Sequence, residues 1–210
     1  MYLREHQAED LVGFDKATDQ YQYRLQLIRK FLAEVGIDLK TLSAVVGRGG
    51  LLNPLPGGTF RVNEQMVDDL LHRPAADHAS NLGAIIAYHL GCELGIPAFI
   101  VDPVTVDEYE DVARISGHPA LERQSRSHAL NMKAVAHKVA HDLGRPYKEV
   151  CLVVAHLGSG FSVSVHLGGR MVDTTNANDE GPFSIERGGD LPATQLVPFM
   201  WEQFQQGLTV

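Results

Sequence analysis

The 210-residue sequence is poor in cysteine, poor in aromatic residues and short of positive charge. Its two cysteines, Cys92 and Cys151, form no CxxC pair. Both lie in apolar segments and read as free, buried thiols of a reducing compartment. Lys and Arg number 18 against 26 Asp and Glu, a formal net charge of −8. With no basic run anywhere, that balance argues against a nucleic-acid partner. No apolar stretch approaches the ~18 residues that a membrane span needs. The first ten residues lack the apolar core of a secretory signal. What remains is an ordinary cytoplasmic composition, 44% hydrophobic and 21% charged, in a chain long enough for one or two cored domains.

The patterning is α/β. Tyr21, Leu25, Ile28, Leu32 and Val35 recur at helical steps, and Gly36 ends that helix. Leu42 to Val46 reads as a short strand running into Gly47-Arg48-Gly49-Gly50. Asn63 caps a short helix through Leu71. A longer helix opens at His78–Leu82 and stops at Gly95. Ala98–Val101 is a buried strand ending in Asp102-Pro103, and the carboxyl end of a strand is where open α/β sheets bind ligands. Asp107 to Ile115 is acidic, helical or irregular, and a loop with Arg123 and Arg126 follows. His128 opens the helix Ala129–Leu143. After the polar stretch Asn176–Asp190, another helix begins at Leu196. Strands alternating with helices up to Gly144, then a meander, give mixed sheets.

That meander is the most informative stretch. Val150 to His156 is an apolar run of the kind buried on both faces. Leu157-Gly158-Ser159-Gly160 turns the chain back. Phe161, Val163 and Val165 then alternate with Ser162 and Ser164, the period of a half-buried strand. A third strand, Met171–Thr175, follows. Two glycines around a serine leave N–H groups free to converge on an anion such as a phosphate, although an ordinary hairpin corner has the same composition.

Arg48 lies between glycines, and Arg187 is followed by two. A planar bidentate donor on a glycine loop suits a carboxylate or phosphate clamp. Asp102 sits in an Asp-Pro pair that is also a common turn. His128 is also in position to be a helix cap. His137 and His141 are spaced like metal ligands, but Lys138 stands where a metalloprotease helix carries glutamate, so no protein-held metal is expected.

Several longer stretches, taken together, resemble the acetate and propionate kinases, most closely their butyrate kinase branch. They are Ala44-Val-Val-Gly-Arg-Gly-Gly-Leu-Leu-Asn-Pro54, Pro56-Gly-Gly-Thr59, Arg61-Val-Asn63, His78-Ala-Ser-Asn-Leu-Gly83, Gly95-Ile-Pro-Ala-Phe-Ile-Val-Asp-Pro103, Ala113-Arg-Ile-Ser-Gly117, His128-Ala-Leu-Asn131, Val154-Ala-His-Leu-Gly158, and Glu180-Gly-Pro-Phe-Ser184 with Glu186-Arg187. The resemblance implies two ribonuclease H-like domains of the actin and sugar-kinase type with a cleft between them, residues 1–104 and 105–210, both incomplete. It implies phosphorylation of a short-chain carboxylic acid, butanoate first, with ATP and Mg²⁺ as cofactors. It also implies a homodimer or larger homo-oligomer. Carried over by residue, Arg48 takes the acyl carboxylate, Arg187 and His128 the transferring phosphoryl group, and Asp102 serves near Mg²⁺ and the acceptor. His156, Gly158, Ser159 and Gly160 form the second phosphate loop. The family's first phosphate loop and its adenosine segment have no counterpart in the sequence, so the chain reads as an internal part of such a kinase. A related propionate or branched-acid kinase and a non-catalytic fragment are the competing expectations.

Overall fold

A computed structural model describes Glu5 and residues 7–207. The two chain ends, where neither a signal peptide nor a closing element is expected, lie partly outside these residues. The first half builds a three-stranded sheet from β1 (Val45–Arg48), β2 (Thr59–Arg61) and β3 (Ala98–Val101). β3 is central, parallel to β1 and antiparallel to β2. Three helices surround this sheet: α1 (Tyr21–Glu34), α2 (Glu64–His72) and α3 (Leu82–Leu94). Asn63 caps α2, its Oδ1 accepting from Met66 N at 2.8 Å, as its position in the sequence predicts. Gly36 and Gly95 follow α1 and α3 with φ of 74° and 67°, a conformation that costs glycine little. The core joins Val67 and Leu70 of α2, Ala84, Ile85 and Ala87 of α3, and Ala98 and Ile100 of β3.

β1 differs from the expected Leu42–Val46. It extends through Gly47 and Arg48, which pair with Ile100 and Val101. The reason is backbone-to-backbone packing. An added Cβ on Gly83 would lie 1.8 Å from the Arg48 carbonyl oxygen, and one on Gly47 would lie 2.1 Å from the Gly83 carbonyl oxygen. The strand therefore continues through a residue pair that apolar periodicity does not mark. Arg48 is held at the strand's end by the N-terminus of α3.

The second sheet is the meander β4 (Leu152–Leu157), β5 (Phe161–Leu167) and β6 (Arg170–Thr174), antiparallel throughout. α4 (Ala129–Asp142) packs Met132 and Ala136 on Val154 of β4. α5 (Ala193–Gln205) closes the described chain. Here the sequence reading needs three corrections. β4 is an edge strand with one covered face, so Val153 and Leu157 are each 72% exposed rather than buried. On β5 the buried side is the polar one: Ser162, Ser164 and His166 are inside, while Val165 faces outward. Cys92 and Cys151 are free thiols, but both are exposed. Among the described residues no helix is long and apolar enough to cross a membrane.

The two sheets are joined through the segment after β3. Leu55 bridges Val106 in parallel, Asp107 N donates to Leu55 O at 2.9 Å, and Glu110 N donates to Val172 O at 3.1 Å. Replacing Gly83 by alanine should destabilise the protein by about 1–3 kcal/mol, because neither backbone has a flexible atom to yield. Gly117→Ala should be nearly neutral, since nothing lies within 4 Å of its added Cβ. Urea unfolding of the two variants beside the wild type measures the difference.

Candidate functional site

Between the two sheets lies a cavity of about 510 Å³. Arg48 at the end of β1, the Asp77–Ser80 segment before α3, Val104, Arg126–His128, Ser159–Gly160, Ala177–Asn178 and Glu186–Arg187 line it. Five of the predicted residues thus meet on one cavity: Arg48, His128, Arg187, Ser159 and Gly160. His156 and Gly158 stand behind that wall, and Asp102 lies outside the lining altogether.

His128 is held by the polar face of β5. Its Nδ1 lies 2.9 Å from Ser162 Oγ, and its backbone N donates to the same oxygen at 3.4 Å. With one proton and two lone pairs, the Ser162 hydroxyl can give its proton to Nδ1 while accepting from the backbone, the arrangement that leaves the His128 proton on Nε2. The His156 ring stacks on it with centroids 3.9 Å apart and planes 8° from parallel. Asn131, one turn along α4 from His128, reaches His156 Nδ1 at 2.7 Å. Burial, reinforced by His156, Arg48 and Arg187, pulls His128 down to about 4. Burial and Arg48 also lower His156. At neutral pH the pair is therefore uncharged, and His128 is a neutral donor in a cationic cavity.

The glycine turn is partly spent on itself. Gly158 N donates to Gly160 O at 3.2 Å, and Ser159 O accepts from Ser184 Oγ at 2.7 Å and Glu186 N at 3.2 Å. The N–H groups of Ser159 and Gly160 have no such partner among the described residues, which leaves two donors at the corner instead of three. Gly160 also packs close to the ring: a Cβ there would sit 3.3 Å from His128 Cε1 and would press the ring back by a few tenths of an ångström. Arg187 is fixed by its own loop, with Nε donating to Asn178 Oδ1 at 3.3 Å and Nη1 to Glu186 O at 2.9 Å. Gly189, at φ 64°, closes that loop against the backbone of Gly181–Phe183, where no side chain fits.

Asp102 forms a clasp. Its N donates to Gly58 O at 2.9 Å, and its Oδ1 accepts from Gly58 N at 2.7 Å. It adopts φ 38°, left-handed for a non-glycine residue, so the clasp holds a strained strand end. Burial pushes its carboxyl up, and the Gly58 N–H offsets this only in part. Of the histidine pair, His137 packs on Tyr147 with ring centroids 4.2 Å apart, and His141 is exposed beside Asp142.

Composition-level reasoning missed Ser162, Asn131, Asn178 and Arg126. The first three act by orienting His128, His156 and Arg187. Only Asn131 carried a usable signal, three residues after His128 at the start of a helix. Long-range ¹H–¹⁵N spectra should show His128 neutral with the proton on Nε2 from about pH 7 to about pH 5, titrating near about 4. Because its pKa is lower folded than the usual value of about 6.5, its contribution to stability is present above about pH 6.5 and lost on acidification through the folded value. Ser162→Ala should remove the tautomer preference in the same spectra.

Residues 120–207 match the acetokinase family. Over 192 residues the chain is 53% identical to a probable butyrate kinase of Thermotoga petrophila, covering 91% of this chain and 54% of that protein. A probable butyrate kinase of Listeria monocytogenes is 50% identical over 193 residues, with the same coverage. The chain thus spans about half the length of the curated relatives it matches. Among solved structures, an acetate kinase of Porphyromonas gingivalis superposes with a TM-score of 0.69 at 16% identity, covering 90% of this chain and 50% of that one. A propionate kinase of Francisella tularensis gives 0.60 at 17%, covering 90% and 51%. At that identity the likeness is one of fold, the actin and sugar-kinase type that the sequence motifs imply. The similarity thus has two parts: residues 120–207 match the acetokinase family, and 91% of the chain aligns with about half of a protein named probable butyrate kinase.

Proposed function

We propose that the protein is a butyrate kinase, which transfers the γ-phosphoryl group of ATP to butanoate and runs reversibly to butanoyl phosphate and ADP. The reading rests on the convergence of Arg48, His128, Arg187 and the Ser159–Gly160 corner on one cavity. These are the residue types the reaction needs. A carboxylate with an ordinary pKa of about 4 is ionised at neutral pH and needs no general base. Its oxygen forms a bond to the γ-phosphorus as the bond to the β-phosphate bridging oxygen breaks, and no proton changes hands. The obstacle is repulsion between two anions, so catalysis is positioning and charge stabilisation.

In this reading Arg48 takes the carboxylate and Arg187 the phosphoryl oxygens. His128 donates its Nε2–H to the same group. The free N–H groups of Ser159 and Gly160 suit the phosphates of ATP, and His156 keeps His128 in place from behind. Mg²⁺ takes most of its ligands from water and phosphate oxygens and few from protein. Asp77 and Glu186 are the carboxylates that line the cavity, and no cluster of three potential metal ligands occurs among the described residues. Asp102 then serves as a positioning residue for the Gly58 loop. The two sheets, one on each side of residues 104/105, favour the same two-domain division. A cytoplasmic homo-oligomer completes the reading.

In the full-length protein, Arg187→Ala should lower kcat by about 10²–10³-fold, the scale of losing one transition-state donor. Arg48→Ala should mainly raise KM for the acid. Acyl-phosphate trapping with acetate, propionate, butanoate and isobutanoate measures both and ranks the acids. Absence of turnover with all four would remove the kinase reading.

A further inference from the structure

Most arginines of this acidic chain are spent on carboxylates. Arg73 pairs with Asp68 and Asp69, Arg114 with Asp107, Arg123 with Glu180 and Asp173, and Arg170 with Glu110. Among the described residues, Arg48, Arg61 and Arg126 carry neither an ion pair nor a side-chain hydrogen bond. Arg61 is exposed on β2, whereas Arg48 and Arg126 both line the cavity.

Arg126 is presented by a fixed backbone. Ser125 Oγ donates to Val106 O at 2.6 Å, and Ser127 N donates to Val104 O at 3.0 Å. Both serines are buried, which leaves the arginine between them on the cavity wall. The Arg126 carbonyl accepts from Ala177 N at 2.8 Å, and the next residue, Asn178, holds Arg187. Arg126 and Arg187 are therefore tied to the same short segment, while Arg48 approaches from the other sheet. Three guanidiniums and two carboxylates, Asp77 and Glu186, line about 510 Å³, and Glu186 Oε2 lies 3.8 Å from Arg187 Nη1, so the excess positive charge is one that an entering anion can neutralise.

We propose that Arg126 is a third anion-binding guanidinium of this site, contacting phosphoryl oxygens together with Arg187, while Arg48 takes the carboxylate. The inference rests on the acyl-kinase reading for the identity of the anion but not for its presence. A free donor of this kind gives a charge-assisted hydrogen bond, and its loss should weaken phosphate binding by about tenfold or more.

The experiment titrates the full-length protein with inorganic phosphate and, separately, with butanoate, by calorimetry. It compares wild type, Arg126→Gln, Arg126→Lys and the control Arg61→Gln, and measures acyl-phosphate formation in parallel. Arg126→Gln should lose about tenfold or more in phosphate affinity with butanoate affinity within about twofold, and its KM for the phosphoryl donor should rise. Arg126→Lys should recover part of the loss, and Arg61→Gln should match wild type. Unchanged phosphate binding in Arg126→Gln, or equal loss for phosphate and butanoate, overturns the assignment. So does a wild type that binds no phosphate. If phosphate binding falls as expected but the wild type phosphorylates no short-chain acid, the anion site stands and the kinase reading fails. If turnover is present and phosphate binding is unmoved, only Arg126 is misassigned.

Discussion

The buried ion pair between Glu108 and Lys133 sets the relation of the two sheets. Their side chains are only 9% and 5% exposed, and Glu108 Oε2 accepts from Lys133 Nζ at 2.7 Å. The same oxygen accepts from Met171 N at 2.7 Å, and Oε1 accepts from Gly57 N at 2.9 Å. One carboxylate thus ties the loop before β2 to α4 and to β6. Burial by itself would raise its pKa, but Lys133 and the two N–H groups more than offset this and hold it low. Such a pair adds little over an apolar replacement, yet removing one partner costs about 3–5 kcal/mol because the other charge stays buried. Its importance is geometric. A side chain at Gly57 would displace the ion pair, since a Cβ there would sit 2.4 Å from the Lys133 ammonium and 2.7 Å from Glu108 Oε1. Asp102 clasps Gly58, one residue along, so the loop is held at two successive glycines.

This joint explains the reach of the cavity. Arg48 comes from the first sheet, His128 and the glycine corner from the second, and Arg187 from the loop beyond it. None is near another in sequence, and small errors in the angle between sheets would pull them apart. The field they create is positive. The histidines answer it by staying neutral, as the depressed His128 and His156 indicate. A protonated His128 would add a charge to a wall that already has three guanidiniums. A neutral one supplies a donor and no further repulsion to relieve when the site is empty.

The helices and most strand positions were legible in the sequence because caps, terminal glycines and apolar stripes are local signals. Asn63, Gly36 and Gly95 each act where the chain pattern places them. The arginines next to glycines were legible for a similar reason, since a loop around an arginine that leaves room for close approach is written in adjacent residues. The extent of β1 was not, because it depends on Gly83 packing against it from 36 residues away. Arg126 was not, because an unpaired arginine is defined by the carboxylates it fails to meet, and these are known only once the chain is folded.

The inverted faces of β5 make the sharpest case. Alternation marks two faces but does not say which is covered, and apolar residues are ordinarily taken to be inside. Here α4 and the segment before it cover the serine face, and each buried polar atom has a partner. Ser162 meets His128, Ser164 meets His166 at 2.7 Å, and His166 meets Tyr147 at 2.6 Å. A buried polar row is costly only when unpaired. Paired, it fixes rings at defined angles, which apolar contact cannot do, since dispersion is non-directional. The face that breaks the hydrophobic rule is the face that holds the ring of His128. The glycine corner then closes over that ring, with Gly160 packed so near that an added Cβ would come within 3.3 Å of His128 Cε1.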